Sequence, residues 1–423
     1  MKNRVAITGM GVVSPIGSTL PDFLAALREG KSGISYSKEL EDKNFVCRVA
    51  GIPKPVVHNM ETISRIEPEF GDKSIIYDLS AGIDAWKDAG FELPNMQSSS
   101  SCDVSVVVGS TCAGYDYFSR MKSLIDEGRV KKLGSWFVAN TMHSGPAAFL
   151  SGLLGASTRV ECLSSACASG TEAIARAYEL VENGVVDVVL AGGCDPDSPY
   201  VWAGFDAMRL LCRDGNDNPH EASRSMSKLA NGFVPSAGAG MLVVENLEHA
   251  KARGARIYAE IVGACVNSGG QRNGGSMTFP NSDKAVECIR NAVATAGINP
   301  LEISYINGHL SSTMADSVEV ANWCKALEIK QDFPYINSTK SLVGHALGAA
   351  GAIETIATIL QMKNRFVHNS RNSMPLHSEI SRIYDSDKIP QQAIENIDIE
   401  YAAKASFGFG DVNACLVLKK YRQ

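Results

Sequence analysis

Residues 171–193 read TEAIARAYELVENGVVDVVLAGG, and this stretch decides the fold class. Residues 171–182 have helical periodicity, and Asn183-Gly184 is a typical helix stop. Residues 185–190 form an apolar, β-branched run that ends in small residues. A helix followed closely by a buried strand predicts a unit of an α/β protein.

The same alternation recurs on both sides of this stretch. Further strands are predicted at residues 5–13, 104–108, 241–245, 258–265, 303–306 and 335–337, and further helices at residues 247–253, 284–296 and 345–362. Strands separated by helices predict mixed or parallel sheets with covered faces. The chain divides near Ala255, and both parts begin with a strand, which favours a loose internal duplication. Charged residues at 38–44 and 384–392 are expected to form surface loops.

Composition narrows the class of protein. The chain has 423 residues, of which 45% are hydrophobic and 20% charged, an ordinary profile for a globular protein. Its net charge of −6 provides no overall basic field for nucleic acid. No apolar run approaches the ~18 residues typical of a membrane helix. The 11 cysteines include no CxxC pair and there is no secretion signal, so we expect reduced thiols and a cytoplasmic protein.

One cysteine stands out as a candidate nucleophile. Cys167 lies in SSACASG, residues 164–170, where small residues allow a tight turn from a strand into a helix. The helix N-terminus is expected to lower the pKa of this thiol. The alternative is a small buried hydrophobe, which is the usual role of cysteine. That role is expected of seven others, namely Cys47, Cys102, Cys194, Cys265, Cys288, Cys324 and Cys415.

Two segments of the second part carry candidate site histidines. His309 directly follows a predicted strand in NGHLSST, residues 307–313, although an ordinary loop histidine is the alternative. Lys340 and His345 begin the Gly/Ala-rich segment KSLVGHALGAAG, which is suited to close backbone packing. Glu354 lies further along the same apolar helix and is a candidate partner for Lys340. The alternative is a structural ion pair with a capping histidine.

A fourth segment, ASFGFGDVN at residues 405–413, has glycines on both sides of Phe409. Such glycines permit close backbone approach, so a main-chain N–H here is suited to an oxyanion hole. A tight turn carrying two core aromatics is the alternative. No spacing of Cys and His matches a metal site, and no Gly-rich loop matches a phosphate-binding P-loop.

In this order and spacing, the four segments resemble the elongating type II β-ketoacyl-(acyl-carrier-protein) synthases. The resemblance runs from VAITGMGVVSPIG at residues 5–17 to FGFG at residues 407–410. It implies a thiolase fold with duplicated halves, residues 1–254 and 255–423, in a five-layered α-β-α-β-α sandwich with mixed sheets. It also implies a dimer, either a homodimer or a heterodimer with a related ketosynthase-like subunit. The implied partner is acyl carrier protein, whose phosphopantetheine carries the substrates, so no cofactor or metal is expected.

The resemblance also implies the reaction. Cys167 would hold an acyl chain as a thioester, and His309 and His345 would assist decarboxylation of malonyl-carrier protein by stabilising the enolate. The carbanion would attack the acyl thioester and release a β-ketoacyl-carrier protein, which makes the enzyme an acyltransferase. Lys340 and Glu354 match the supporting pair of the family.

Further positions are assigned by the same resemblance. Backbone N–H groups of Cys167 and Phe409 would form an oxyanion hole, with Phe409 also gating the pocket. The positions that match the substrate pocket are Cys112, Phe137, Phe205, Phe233, Ser311, Thr313 and Phe407. The basic positions that match carrier-protein contacts are Lys131, Lys132 and Arg209. Glu67 and Glu69 are acidic in a segment that is commonly basic in the family.

Four positions depart from the family pattern. Leu310 replaces a glycine, Ala237 an acidic residue and Asp411 a glycine, while Asp316 comes one residue early. The changes surround the malonyl side, so they bear on substrate choice and gating more than on reaction type. They favour a specialised polyene or polyketide pathway over bulk fatty acid synthesis.

Two other functions remain open from the sequence. One is a non-catalytic partner subunit that determines chain length, although such subunits usually lack the nucleophilic cysteine retained here as Cys167. The other is a coenzyme A-dependent thiolase, which would have a second catalytic cysteine near the C-terminus.

Overall fold

The computed structural model describes residues 2–66, 70–95 and 102–422. Its strands are β1 (Val5–Val13), β2 (Ile34–Tyr36), β3 (Val49–Gly51), β4 (Ser105–Gly109), β5 (Arg159–Leu163), β6 (Val188–Asp195), β7 (Gly238–Asn246), β8 (Ala259–Ser268), β9 (Ile303–Asn307), β10 (Tyr335–Asn337), β11 (Phe366–Val367), β12 (Ile394–Glu395), β13 (Tyr401–Gly408) and β14 (Val412–Lys420). Its α-helices are α1 (Leu20–Glu29), α2 (Lys38–Asp42), α3 (Met60–Ile66), α4 (Lys73–Asp88), α5 (Tyr115–Asp126), α6 (Phe137–Thr141), α7 (Gly145–Leu154), α8 (Ser169–Glu182), α9 (Pro199–Ala207), α10 (Leu247–Ala252), α11 (Ser282–Ala296), α12 (Ala315–Leu327), α13 (Lys340–Val343), α14 (Ala350–Asn364) and α15 (Ile380–Ile383). Within the described ranges, no helix is long and apolar enough to cross a membrane.

The main sheet is internally duplicated. Over the described residues it has 10 strands in the order β10-β9-β13-β14-β8-β1-β7-β6-β4-β5. From the central β8-β1 pair outward, one set is β1-β7-β6-β4-β5 and the other is β8-β14-β13-β9-β10. In both sets, the strands taken from the centre outward are the first, last, next-to-last, second and third of that set along the chain. The pairing repeats as well: β4 and β9 are each parallel to both neighbours, and every other pair is antiparallel.

The two strand sets are joined rather than separate. Val5, Ala6 and Ile7 of β1 pair with Ile261, Glu260 and Ala259 of β8. The expected mixed sheets are confirmed, and backbone hydrogen bonds between the first strand of each half join the two sets into one continuous sheet.

Helices α8 and α14 form the central layer of the fold. Each contacts β7 of the first strand set and β14 of the second, so the two sets cover opposite sides of this helix pair. On the outer faces, α4 packs on β1, β7 and β6, and α11 packs on β8 and β14. The resulting order is α-β-α-β-α, with one apolar core around the central helices and another under each outer layer.

Small residues bring the central helices into backbone contact. A Cβ atom at Gly351 would lie 2.2 Å from Oγ1 of Thr171 and 2.6 Å from its backbone N. A Cβ at Gly170 would lie 2.7 Å from the carbonyl oxygen of Gly348. These distances are too short for any side chain. The predicted close packing of the Gly/Ala-rich segment is confirmed, and it brings the starts of both central helices together.

Gly351→Val is expected to destabilise the protein by at least about 3 kcal/mol, because the added atoms must push α8 and α14 apart. The free energy of unfolding in urea measures this change. Gly204→Ala is the matched control, since a Cβ at this position in α9 would meet nothing within 4 Å. It is expected to change stability by less than about 1 kcal/mol, in the stabilising direction. Equal unfolding midpoints for the two variants would contradict the close packing.

The structure corrects two predicted segments. Residues 38–44 are not simply a loop, because Lys38–Asp42 form α2, where the hydroxyl of Ser37 caps the helix by accepting from the N–H of Leu40. The helix predicted from residue 345 begins later: Leu347–Ala349 form a 3₁₀ turn and α14 starts at Ala350. His345 therefore precedes the helix and lies close to its N-terminus.

Candidate active site

Cys167 lies in the connection between β5 and α8. It is the central residue of a 3₁₀ turn, Ala166–Ala168, that leads directly into the helix. Ala166 has a φ of 50°, a left-handed conformation that costs free energy in a residue other than glycine. The hydroxyl of Ser169 holds the turn by accepting from the N–H of Ser165 at 2.9 Å and donating to the carbonyl of Ala166 at 2.6 Å. The thiol is thus presented on a constrained strand-to-helix turn.

The pKa of the free thiol is not lowered as the sequence suggested. Burial raises the pKa of Cys167 to about 12, against the lowering effects of the Lys340 charge and of the backbone N–H groups of Phe409 and Cys167. The prediction from the helix terminus is wrong because it neglected the cost of burying a charge. The resting group is therefore a neutral thiol.

His309 and His345 lie beside this thiol. His309 follows β9, and His345 precedes the 3₁₀ turn that leads into α14. Their ring centroids are 5.1 Å apart, at an interplanar angle of 82°. The sulfur of Cys167 and one ring nitrogen of each histidine all lie within 4.8 Å of one another. The two histidines of the second half therefore meet the thiol of the first.

Hydrogen bonds define the tautomers of both histidines. Nδ1 of His309 faces the ammonium of Lys340 at 3.3 Å, and Nδ1 of His345 accepts from the backbone N–H of Leu347 at 3.1 Å. A donor at Nδ1 leaves the proton of a neutral imidazole on Nε2. Burial, followed by the nearby charge of Lys340, holds the pKa of both rings well below the usual value. Two neutral Nε2–H donors are thus available to the cavity that both rings line.

Glu354 pairs with two buried lysines rather than one. Its Oε1 lies 2.5 Å from Nζ of Lys340, as the predicted pairing requires, and its Oε2 lies 2.8 Å from Nζ of Lys404. All three side chains are at most 1% exposed. Sequence reasoning missed Lys404, although a single charge inside the apolar strand YAAKASFG was a signal for it.

The loop that carries His309 is held by a buried carboxylate. The backbone N–H groups of His309 and Leu310 donate to Oε1 and Oε2 of Glu319 at 2.6 and 2.7 Å. Leu310 has a φ of 25° and a fully buried side chain, so the loop keeps a backbone that favours glycine. The Leu310 departure is therefore accommodated by core packing and by Glu319. The sequence analysis missed Glu319, whose spacing from Asp316 was the available signal.

Two other residues that depart from the family pattern, Asp316 and Asp411, accept hydrogen bonds from backbone N–H groups. Asp316 accepts from the backbone N–H groups of Met226 and Ser312 at 2.8 and 3.1 Å, so it holds the loop that follows Leu310. Asp411 accepts from the N–H of Gln271 at 2.9 Å and of Asn281 at 2.7 Å. This second carboxylate ties the Phe409 segment to residues 271–281. Ala237 is fully buried, and nothing in its surroundings explains the loss of an acidic residue.

Asp411→Ala is expected to release residues 271–281, because two buried N–H groups lose a charged acceptor and alanine is strained at the φ of 64° found here. Amide hydrogen exchange measures the effect, as at least about tenfold faster exchange at Gln271 and Asn281. Asp398→Ala is the control, since that carboxylate is exposed and pairs only with Lys420 and Arg422. Unchanged exchange in Asp411→Ala would show that the segment is held by other contacts.

The cavity above Cys167 has a volume of about 400 Å³. The predicted residues that line it are Phe205, Phe233, Arg209, His309, Ser311, Thr313, His345, Phe407 and Phe409. Residues not singled out by the sequence analysis also contribute, namely Arg213, Asn231, Thr278, Phe279, Pro280, Met314 and Asn322. Aromatic rings therefore surround the reactive groups, and two arginines are among the lining residues.

Some predicted residues lie elsewhere. Cys112 does not line this cavity; its backbone N–H donates to Asp195 at 3.0 Å. Phe137 is also absent from the lining and packs beside Tyr117 in the α5–α6 region, with ring centroids 6.1 Å apart. Lys131 and Lys132 are exposed on a short 3₁₀ helix, Val130–Leu133. Glu67 and Glu69 lie outside the described residues.

Within the described ranges, one group of three metal-ligating side chains comes together, and it consists of Cys167, His309 and His345. The spread of its ligand atoms, up to 4.8 Å, exceeds the roughly 3.4 Å between ligands of tetrahedral zinc. The group is therefore more open than a preformed zinc site, and its geometry suits a reacting carbonyl better.

Comparisons with known proteins agree with this geometry. The sequence matches the family models for the beta-ketoacyl synthase N-terminal domain over residues 2–250 and C-terminal domain over residues 258–374. A 3-oxoacyl-[acyl-carrier-protein] synthase 2 from Vibrio harveyi is 36% identical over 427 residues, covering 99% of each chain. A beta-ketoacyl synthase structure from Burkholderia phymatum STM815 superimposes with a TM-score of 0.90 at 30% identity, covering 100% of both chains.

A third relative is a type II polyketide ketosynthase, solved in complex with its acyl-carrier protein and bound to the hexaketide. It superimposes with a TM-score of 0.86 at 29% identity and covers 100% of both chains. Fold and site together define a ketosynthase of the thiolase fold. Within that class, the chain belongs to the beta-ketoacyl synthase family.

Proposed function

We propose that this protein condenses an acyl chain, held on Cys167, with the malonyl group of malonyl-acyl carrier protein. The reaction is a decarboxylative Claisen condensation that yields β-ketoacyl-carrier protein, and the enzyme is a 3-oxoacyl-[acyl-carrier-protein] synthase. The observation that carries the proposal is the meeting of the Cys167 sulfur with the ring nitrogens of His309 and His345 within 4.8 Å, in a cavity lined by aromatic rings.

In the first half-reaction, the sulfur of Cys167 attacks the thioester carbonyl of an acyl-carrier protein. The bond from that carbonyl to the pantetheine sulfur breaks, and the proton lost by Cys167 ends on the departing pantetheine thiol. The negative oxygen of the tetrahedral intermediate accepts from the backbone N–H groups of Cys167 and Phe409. The constrained turn at Ala166 holds the sulfur in a fixed position for this attack.

In the second half-reaction, the malonyl carboxylate leaves as CO₂ and its bonding electrons form an enolate on the remaining thioester. The enolate oxygen accepts from Nε2–H of His309 and of His345. The carbanion then attacks the acyl carbonyl, and the bond to the Cys167 sulfur breaks, after which that sulfur takes up one proton from solvent. Decarboxylation supplies the carbanion without a strong base, so two neutral donors suit the step.

Lys340 and Glu354 support this arrangement. The ammonium of Lys340 fixes the tautomer of His309 by facing its Nδ1, and Glu354 neutralises the buried cation. Ser311 and Thr313 are assigned to the malonyl side, and Phe205, Phe233 and Phe407 to apolar contacts with substrate. Phe409 is assigned as the gate. No cofactor enters the scheme, because phosphopantetheine of the carrier protein brings both substrates.

Arg209 and Arg213 line the cavity and form no ion pair among the described residues, so they suit the phosphate of a phosphopantetheine arm. Lys131 and Lys132 extend this basic character to the surface, where an acidic carrier protein would dock. Cys112 and Phe137 keep their assignment to the substrate pocket, in a part that lies outside the lining of the cavity above Cys167.

We also assign the quaternary state and location. Strand β5 ends the sheet over the described residues, and Val160 on this strand is an exposed apolar residue, which favours a dimer through this edge. The division at residues 254/255 separates the half that carries the thiol from the half that carries both histidines. All 11 cysteines are free, which favours a reducing, cytoplasmic location. Light scattering tests the dimer, alone and with a related subunit.

Intact mass spectrometry tests the function. The protein is incubated with a panel of acyl-carrier proteins that differ in chain length, and malonyl-carrier protein is then added. An acyl adduct that discharges as a β-keto product supports the proposal, and the chains that load define the pocket. Failure of every chain to load, alone or with a partner subunit, would contradict it and leave the chain-length-determining subunit as the better reading.

A further inference from the structure

The mechanism above uses Lys340 and leaves a second buried cation, Lys404, without a role. Lys404 lies in β13, in register with Asn307, the residue that ends β9 just before the His309 loop. Its side chain is fully buried on the face that the sheet turns to the central helices. An unpaired charge at such a depth costs far more free energy than a surface charge, so its retention requires an explanation.

The ammonium group of Lys404 forms two hydrogen bonds and one ion pair. Its Nζ donates to the carbonyl of Ala405 and, at 3.0 Å, to the hydroxyl of Ser406, and lies 2.8 Å from Oε2 of Glu354. The hydroxyl of Ser406 is 2.8 Å from Oγ1 of Thr171, in the first turn of the helix that follows Cys167. Lys404 thus joins the histidine side of the site to the helix of the nucleophile.

Lys340 and Lys404 contact different oxygens of the Glu354 carboxylate. Oε1 of Glu354 lies against Lys340, which in turn faces Nδ1 of His309, while Oε2 lies against Lys404. Fixing both oxygens removes the rotation of the carboxylate that would let Lys340 drift from His309. We infer that Lys404 is a positioning residue for condensation, because it locks Glu354 and adds a second positive charge beneath the two histidines.

The electrostatic surroundings agree with this role. The groups that face the histidines are Lys340 from α13, Glu354 from α14, Lys404 from β13, Glu319 from α12 and the thiol of Cys167. The charges of Lys340 and Lys404 both add to burial in lowering the pKa of His309 and of His345. Burial also lowers the pKa of Lys404, against the raising effect of Glu354.

The inference rests on the proposed function, and Lys404→Met tests it. Loss of this charge is expected to raise the pKa of His309 and His345 toward the ordinary value. A protonated imidazole cannot serve as the neutral donor that the mechanism uses. The acid limb of the pH–rate profile for condensation is therefore expected to move to higher pH by about the same amount as the pKa. We expect kcat to fall roughly tenfold with little change in KM for acyl-carrier protein.

Lys363→Met is the matched control, because Lys363 lies on α14 like Glu354 but faces Tyr258, with its Nζ 4.1 Å from that ring centroid. It is expected to leave the pH limb in place. Lys404→Gln separates charge from hydrogen bonding, since the amide still donates to Glu354 or Ser406, and it supplies a second variant if methionine prevents folding. A shift of the limb in both neutral variants supports the inference.

Nuclear magnetic resonance of ¹⁵N-labelled histidine gives a readout that does not depend on turnover. The chain has 8 histidines, and single replacements assign the two of interest. Unchanged histidine pKa values and an unchanged pH limb in both Lys404 variants would overturn the inference, whatever the loss of stability. If the wild-type protein itself fails to condense, the proposed function fails, and the histidine titration still decides the role of Lys404.

Discussion

His345→Ala is expected to slow condensation with malonyl-carrier protein by about 10²–10³-fold, the usual cost of removing one donor from an oxyanion site. The reason is the fixed tautomer: Leu347 N–H occupies Nδ1, so Nε2–H is the donor that the enolate loses. Acyl loading of Cys167 is expected to suffer far less, because the backbone N–H groups of Cys167 and Phe409 serve that step. Separate assays of loading, by intact mass, and of β-keto product measure the two effects.

His377→Ala is the matched control for this variant. His377 is about 40% exposed and contacts Glu379 rather than any cavity residue, so both half-reactions are expected to proceed at the wild-type rate. The outcome that would contradict the assignment is an equal loss in loading and condensation by His345→Ala. Such a result would mean that the His345 ring maintains the structure of the cavity rather than stabilising the enolate.

Cys167→Ser is expected to reduce acyl loading by at least about 10³-fold. A hydroxyl needs a base to become a nucleophile, and the site offers none: Nδ1 of each histidine faces a donor, and Nε2 already carries a proton. The thiol succeeds where the hydroxyl fails because its intrinsic acidity and nucleophilicity are higher. Intact mass after incubation with acyl-carrier protein measures the adduct.

Cys324→Ser serves as the control for that experiment. Cys324 is a partly buried thiol in α12 whose sulfur is 3.8 Å from the carbonyl of Ile383, outside the cavity lining. It is expected to load like the wild type. Adduct formation on Cys167→Ser at the wild-type rate would show that the acyl chain attaches to another residue, and peptide mapping would then locate it.

Much of this architecture could be predicted from local pattern. The β-branched run at residues 185–190 predicts a strand, found slightly later as β6, and the Gly/Ala-rich segment at residues 340–351 predicts close backbone packing, which the structure confirms. The thiolase fold followed from the order of motifs. Such features depend on residues adjacent in sequence, and short-range spacing is what a sequence displays directly.

The remainder depends on burial and on contacts between distant residues. The lysine within the apolar strand β13 was an unusual residue at its position, but its pairing with Glu354 joins two elements that are distant in sequence and depends on the fold. The pKa of Cys167 was predicted in the wrong direction for a related reason, since desolvation depends on the whole fold. Glu319 and Asp411 were visible in the sequence as acidic residues, but the hydrogen bonds that they accept from backbone N–H groups depend on the fold.

The mirrored strand order has a consequence for ancestry. In each half, a 3₁₀ turn leads directly into a central helix, and the residue that opens each turn, Ala166 or Leu347, has a φ of 50°. The position of Cys167 in one turn corresponds to Gly348 in the other, where a Cβ would lie 2.9 Å from Asp195. After duplication, one turn thus kept a reactive side chain at this position, whereas its copy has a glycine, which leaves room for Asp195. A single copy of the turn could not meet both requirements.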